Sequence, residues 1–159
     1  MPGLYFSFDG GPTIFELIES FGAAIENEDS NAIDELMERL WENGPSREYV
    51  PILIRLLDTT CHTRHEDIAL ALQDLKDSRA IDPLYHAAHA SHDYLAFDEN
   101  FGLARKCTWA LADIGTDEAK ARLIQISAEP NEVVAAFAQK RLDNWDLELD
   151  RKRTNIHST

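Results

Sequence analysis

The sequence contains little cysteine and no long apolar stretch. Only Cys61 and Cys107 occur in 159 residues, and they form no C-x-x-C motif, so no disulfide framework is expected and a reducing compartment is indicated. No segment approaches the roughly 20 consecutive apolar residues that span a bilayer. The start, MPGLYFSFDGGP, lacks the charged and continuously apolar regions of a signal peptide. We therefore expect a cytoplasmic protein.

Basic residues are also scarce. The chain has 15 Lys and Arg against 29 Asp and Glu, a net charge of −14, which argues against nucleic acid and anionic membranes as partners. The charge is uneven, because residues 1–43 carry ten acidic residues and one arginine, a net −9. Solvated helix faces that keep the protein soluble are one explanation. Attraction of a basic partner protein is the other.

Recognisable catalytic motifs are absent as well. The sequence has no Gly-rich phosphate loop, no G-x-S-x-G and no H-E-x-x-H, so it indicates no enzyme class and no cofactor. Apolar residues make up 44% of the chain, as in a folded globular protein. We expect a single domain over residues 1–149, in which 1–12 cap one end, followed by a flexible polar tail at 150–159.

What the sequence does contain is an internal repeat. The stretch at 71–84 reads ALQDLKDSRAIDPL, and the stretch at 110–123 reads ALADIGTDEAKARL, at an offset of 39. In each copy one helix ends, a short polar turn follows and another helix begins. Such repeats stack, because one unit cannot bury its apolar face alone. The sequence therefore predicts an all-α fold, an α-solenoid of about four helical hairpins with eight helices.

Helix boundaries follow from capping residues and apolar spacing. Thr13 to Glu16 and Thr63 to Glu66 have the T-x-x-E form of a capping box. The fifth helix is predicted from Arg79 to about Ser91, and the sixth begins at about Glu99. The other predicted N-caps are Ser30, Thr116 and Asn131.

The repeat motif, A-L-x-x-[LI]-x-[DT]-x-x-A-x-x-x-L at a period near 30, resembles HEAT repeats of the short type seen in phycobilin lyases. The resemblance covers about Arg47 to Trp145. It implies an α-solenoid and carries no catalytic residue, because the motif is structural. Proteins of this type include bilin lyases, DNA glycosylases, scaffolding adaptors and small bacterial proteins that neutralise toxins.

The repeat also exposes an insertion. Val50 and Ile81 match at an offset of 31, whereas the next step is 39, and the excess falls in HASHDYLAFDEN. Insertions in repeat arrays form surface loops that often belong to a binding face. Tyr94 and Phe97 in this loop are therefore candidate binding residues.

A second candidate surface lies on the sixth helix. Trp109 faces away from the apolar stripe of Cys107 and Ala110, and the resemblance implies that the second helix of each pair lines a concave surface. An aromatic residue there would act as an interface anchor, although packing against a neighbouring repeat is the alternative. An acidic row on the second helix would continue this surface. The predicted partner-binding residues are Asp34, Glu35, Glu38, Glu42, Asp74, Tyr94, Phe97, Arg105, Trp109 and Asp113.

Two groups of histidines have spacings that can suit a metal ion. Asp82, His86, His89 and Asp93 would share one face of the predicted fifth helix, a spacing that suits zinc, but no distant ligand is identifiable. We interpret them as a solvent-facing stripe. The Cys61-His62-x-x-His65 group is interpreted as serving a turn and a helix start. The sequence therefore predicts no metal site.

Taken together, these features favour a protein-binding module. The most concrete form is an acidic immunity protein that occludes a basic toxin or enzyme. A chromophore-handling enzyme resembling bilin lyases, and a general HEAT scaffold, are the alternatives.

Overall fold

The structure, a computed structural model, describes residues 11–98 and 101–147. Within them the regular structure is helical, without a β-strand. The α-helices are α1 (Ile14–Glu26), α2 (Ser30–Asn43), α3 (Val50–Leu57), α4 (His65–Leu75), α5 (Ile81–Ala87), α6 (Gly102–Ile114), α7 (Asp117–Ser127) and α8 (Glu132–Asp143). Short 3-10 turns occur at Arg47–Tyr49, Ser78–Ala80 and Asp93–Leu95.

Several helix starts follow from their local sequence as predicted. Thr13 Oγ1 accepts from the Glu16 amide at 3.2 Å, and Thr116 Oγ1 accepts from the Ala119 amide at 3.1 Å. Asn131 caps α8 in the same way. Each side chain satisfies an amide that has no partner within its helix. The all-helical class is confirmed.

Other boundaries differ from the prediction. Asp29, and not Ser30, caps α2, because its carboxylate accepts from the Ala32 amide at 3.1 Å. The Thr63 capping box is wrong: Arg64 is the N-cap of α4, and no side chain of that cap accepts a first-turn amide. The fifth helix ends at Ala87 rather than near Ser91.

The last predicted helix is also interrupted. Helix α8 ends at Asp143, and residues 145–147 are helical again beyond Asn144. The predicted end cap, residues 1–12, lies mostly outside the described residues, and the predicted polar tail, residues 150–159, lies wholly outside them. Among the described residues, no helix is both long and apolar enough to cross a membrane.

The repeat positions are packing positions. Ala71, Leu72 and Leu84 are fully buried, and so are their counterparts Ala110, Leu111 and Leu123. All eight helices contribute to one apolar core. The recurring motif therefore sets how the helices pack.

Contacts between the helices follow an order. The odd-numbered helices contact one another in sequence, α1 with α3, α3 with α5 and α5 with α7. Helix α6 packs against both α4 and α8, and α5 also packs on α6. Consecutive helices pair as α1 with α2, α3 with α4, α6 with α7 and α7 with α8.

Candidate binding surface at the α5–α6 connection

The connection between α5 and α6, of which the structure describes residues 88–98 and 101, is held in place at Tyr94. The Tyr94 hydroxyl lies 2.7 Å from His65 Nδ1 and accepts from the His65 backbone amide at 3.3 Å. Because α4 has no side-chain cap, this hydroxyl supplies a partner to its first amide. The predicted insertion is thus held against the turn that joins α3 to α4.

Three histidines stack beneath this contact. The His65 ring lies between the other two, with centroids 4.2 Å from His62 and 3.7 Å from His92. Both His62 and His65 are buried, and His92 is half-buried. The stack joins the α3–α4 turn to the α5–α6 connection through ring faces.

The hydrogen bonds define the protonation of two of these rings. A carbonyl only accepts, so His62 Nε2 donates to Leu56 O and His65 Nε2 donates to Thr59 O, each at 2.7 Å. His62 Nδ1 accepts from the Arg64 amide at 3.0 Å. His62 is therefore neutral, with its proton on Nε2. The lowered pKa of His65 gives that ring the same form at neutral pH, and the Tyr94 hydroxyl then donates to His65 Nδ1.

The electrostatics agree with neutral rings. Burial, reinforced by the neighbouring His62, lowers the pKa of His65 to about 4, from an ordinary 6.5. Burial likewise lowers the pKa of His62 and of His92. It raises the pKa of Tyr94 to about 12, so that the hydroxyl keeps its proton.

Three carboxylates surround Arg64, beside this stack. Its guanidinium contacts Asp34 at 3.1 Å, Glu38 at 2.6 Å and Asp67 at 2.7 Å. It also donates to the Asp34 carbonyl at 3.2 Å. Two members of the predicted acidic row are thus joined to α4, whereas Glu35 and Glu42 on the same helix are exposed.

The end of the connection presents aromatic side chains. Phe97 is 85% exposed, and Phe101 is partly exposed with a left-handed backbone, φ 51°. Such a conformation costs a non-glycine residue of the order of 1–3 kcal/mol and persists where its surroundings enforce it. The Asp98 carboxylate accepts from the Gly102 amide at 2.8 Å, which fixes the start of α6.

A cleft of about 430 Å³ lies beside the connection, between α3 and α5. Its apolar lining includes Ile54, Leu57 and Ala87, and its polar lining includes Asp58 and His86. His92 lines this cleft and two further cavities. This ring of the stack is thus adjacent to three concave features.

The remaining predicted binding residues lie farther along α4 and α6. Trp109 is half-buried, and the Arg141 guanidinium of α8 lies 3.5 Å from its ring centroid. This is the packing arrangement considered as the alternative. Asp113 accepts from Gln73 at 2.8 Å. Partial burial of the carboxyl group, reinforced by the charge of Asp113, raises the pKa of Asp74. Arg105 is exposed.

The four residues considered as a metal-binding face do not share one helix. His89 and Asp93 lie beyond the end of α5, because the helix stops at Ala87. His89 Nε2 contacts Glu129 at 2.8 Å, while Asp82 pairs with Arg122 at 2.9 Å. Among the described residues, no group of three or more His, Cys, Asp or Glu side chains is placed to hold a metal.

Sequence reasoning missed Arg64 and the stack of His62, His65 and His92. The insertion made Tyr94 a candidate binding residue, but nothing local indicated that it contacts His65, which lies 29 positions earlier. Comparison of the chain with models of known protein families, with characterised proteins and with solved structures gave no match.

Proposed function

We propose that this protein binds a basic partner protein through the α5–α6 connection and the adjoining acidic surface of α2. The observation that carries the proposal is Phe97, an aromatic side chain 85% exposed on a connection that Tyr94 fixes. Exposed aromatics on an ordered backbone are favourable anchors, because little conformational entropy is lost when they bind.

Charge supports a basic partner. Exposed Glu35 and Glu42 lie on α2, and the chain as a whole carries −14. A field of this sign accelerates encounter with a positively charged protein. In its most specific form, the protein is an immunity protein whose carboxylates cover the basic site of a toxin or enzyme.

We further propose that the helices form a HEAT-like solenoid whose even-numbered helices carry this surface. The order of helix contacts supports it. So do polar contacts between successive even-numbered helices: Arg64 with Asp34 from α2 to α4, Lys106 with Glu66 at 3.8 Å from α4 to α6, and Arg141 with Trp109 from α6 to α8.

The cleft between α3 and α5 would accept an apolar side chain of the same partner. Its apolar lining and the carboxylates of Asp58 and Asp82 suit a residue flanked by lysine or arginine. The cleft lies beside the connection that carries Phe97. A single extended segment of the partner could therefore reach both.

Selection from a displayed random peptide library tests the proposal. We expect enriched peptides to combine apolar residues with Lys or Arg. Phe97→Ser should lower the affinity of the protein for these peptides tenfold or more. Phe15→Ser is the matched control, because Phe15 is 57% exposed on α1, a helix that belongs to neither side of the connection. Equal losses in both variants, or enrichment without basic residues, would contradict the proposal.

The acidic surface is tested with the same peptides. Glu35→Lys is the cleaner probe, because Glu38→Lys also removes an ion pair with Arg64. We expect Glu35→Lys to weaken binding and to reduce its salt dependence. Affinity and salt dependence that both stay unchanged would exclude this face.

A further inference from the structure

We propose that the stack of His62, His65 and His92, closed by Tyr94, is an acid-sensitive latch that holds the α5–α6 connection at neutral pH and releases it on acidification. The latch is a property of the free protein. Only its consequence for partner binding rests on the proposed function.

The closed geometry requires neutral rings. A proton on His62 Nδ1 would face the Arg64 amide, which is itself a donor to that nitrogen, so this hydrogen bond would be lost. A proton on His65 Nδ1 would force the Tyr94 hydroxyl to turn its own proton away. His62 can therefore gain a second proton only by losing the contact with the Arg64 amide, and His65 only by reversing its contact with the Tyr94 hydroxyl.

The third ring has no compensating contact at one nitrogen. His92 Nε2 is buried and has no hydrogen-bond partner among the described residues. A proton there would create a charged donor without an acceptor, against a ring 3.7 Å away. Charging two neighbouring rings would add repulsion across the stack.

Carboxylates around the stack oppose this effect. Asp34 of α2 raises the pKa of His62, and Asp93 of the connection raises that of His92, but in both rings burial outweighs them. Glu66 and Asp67 of α4 face Tyr94, and their charges add to the burial that raises its pKa. Arg64 is the cation next to the stack and is paired with three carboxylates.

The direction follows from proton linkage. The pKa of His65 is about 4 when closed, against an ordinary 6.5. Between these values only the open form binds the proton, so the closed form is fully stabilised above pH 6.5 and loses that advantage as the pH falls towards 4. A shift of this size permits at most ~300-fold more opening from His65 alone. Contact with water at the edge of the connection weakens this effect of His65. With the contributions of His62 and His92 included, we expect the opening constant to rise by ~30-fold or more.

The His65 amide is the natural reporter, because its described acceptor is the Tyr94 hydroxyl at 3.3 Å. Its hydrogen-exchange protection, corrected for the intrinsic rate and measured by NMR on the whole chain between pH 7 and 4.5, gives the opening constant. The reference is the Ala119 amide, capped by Thr116 within α7. We expect protection at His65 to fall by a large factor while that at Ala119 stays constant.

Two variants separate the latch from general acid sensitivity. Tyr94→Phe should lower His65 protection at neutral pH and remove most of its pH dependence. His89→Gln is the matched control, because His89 pairs with Glu129 outside the stack, and it should leave the His65 profile unchanged. A pH-independent His65 amide in the wild type, or a parallel loss at Ala119, would overturn the proposal.

Binding provides the separate consequence. If the connection carries the partner site, peptides that bind at pH 7 should bind less tightly at pH 5 to the wild type. A latch that opens without any change in peptide affinity would refute the proposed binding site and leave the latch intact. If peptides bind but the protection of the His65 amide does not depend on pH, the latch is refuted and the proposed binding site stands.

Discussion

Replacing Arg64 with methionine tests how the acidic surface of α2 is held to α4. The guanidinium joins Asp34, Glu38 and Asp67, at distances of 3.1, 2.6 and 2.7 Å. Methionine keeps much of the apolar stem and removes the charge. The change therefore removes three ion pairs and leaves three carboxylates facing one another.

The magnitude follows from the exposure of the partners. Arg64 is 22% exposed and its carboxylates are 40–64% exposed, so each pair contributes in the partly exposed range, about 0.2–1 kcal/mol. The loss of three ion pairs and of the hydrogen bond to the Asp34 carbonyl, together with repulsion among the remaining carboxylates, should lower the free energy of unfolding by ~2 kcal/mol. For a chain of this size the Tm should fall by ~4–8 °C.

Urea unfolding followed by circular dichroism measures this loss. Arg47→Met is the matched control, because Arg47 is 71% exposed and contacts Asp77 only at 3.5 Å. It should cost less than ~0.5 kcal/mol, as Arg79 still pairs with Asp77. A double-mutant cycle of Arg64→Met with Glu38→Gln should give a coupling of ~0.5–1 kcal/mol.

The reasoning is refuted if the two arginine variants have the same stability within error. It is also refuted if the coupling with Glu38 vanishes at low ionic strength, where such a pair is strongest. Either result would mean that the ion pairs around Arg64 add nothing to the stability of the fold.

Three further predictions concern two glycines and the two cysteines. Gly22→Ala should stabilise the protein by ~0.5–1 kcal/mol in urea unfolding, because a Cβ there meets nothing within 4 Å inside α1. Gly102→Ala should instead destabilise it by ~1 kcal/mol, since its Cβ would meet the Glu66 carboxylate and lie 3.0 Å from that of Asp98, which accepts from the Gly102 amide; equal signs would contradict the geometry. In thiol labelling at pH 8, half-buried Cys61 should react in the native protein, whereas Cys107, fully buried with its pKa raised to about 12, should react only after unfolding. Cys61→Ser should abolish native labelling, and residual fast reaction would show that Cys107 is accessible.

The sequence alone determined features that depend on near neighbours. Thr13, Thr116 and Asn131 cap helices because each accepts from amides two or three residues away. The repeated alanines and leucines are buried because their spacing matches one face of a helix. These predictions needed no knowledge of how the helices meet.

Local patterns failed where a distant group competes. Thr63 does not cap α4, whose first amide instead donates to Tyr94, 29 residues away. Asp29, and not the adjacent Ser30, is the N-cap of α2. Both residue types suit that position, so the sequence pattern alone does not decide between them.

The candidate site belongs almost entirely to the tertiary structure. The sequence indicated Tyr94, Phe97 and the acidic row as separate candidate binding residues. Only the tertiary structure showed that Tyr94 contacts His65 and that Asp34 of the acidic row pairs with Arg64. The physical reason is that ring stacking, buried hydrogen bonds and ion pairs form between groups some 30 residues apart, for which helical periodicity carries no signal.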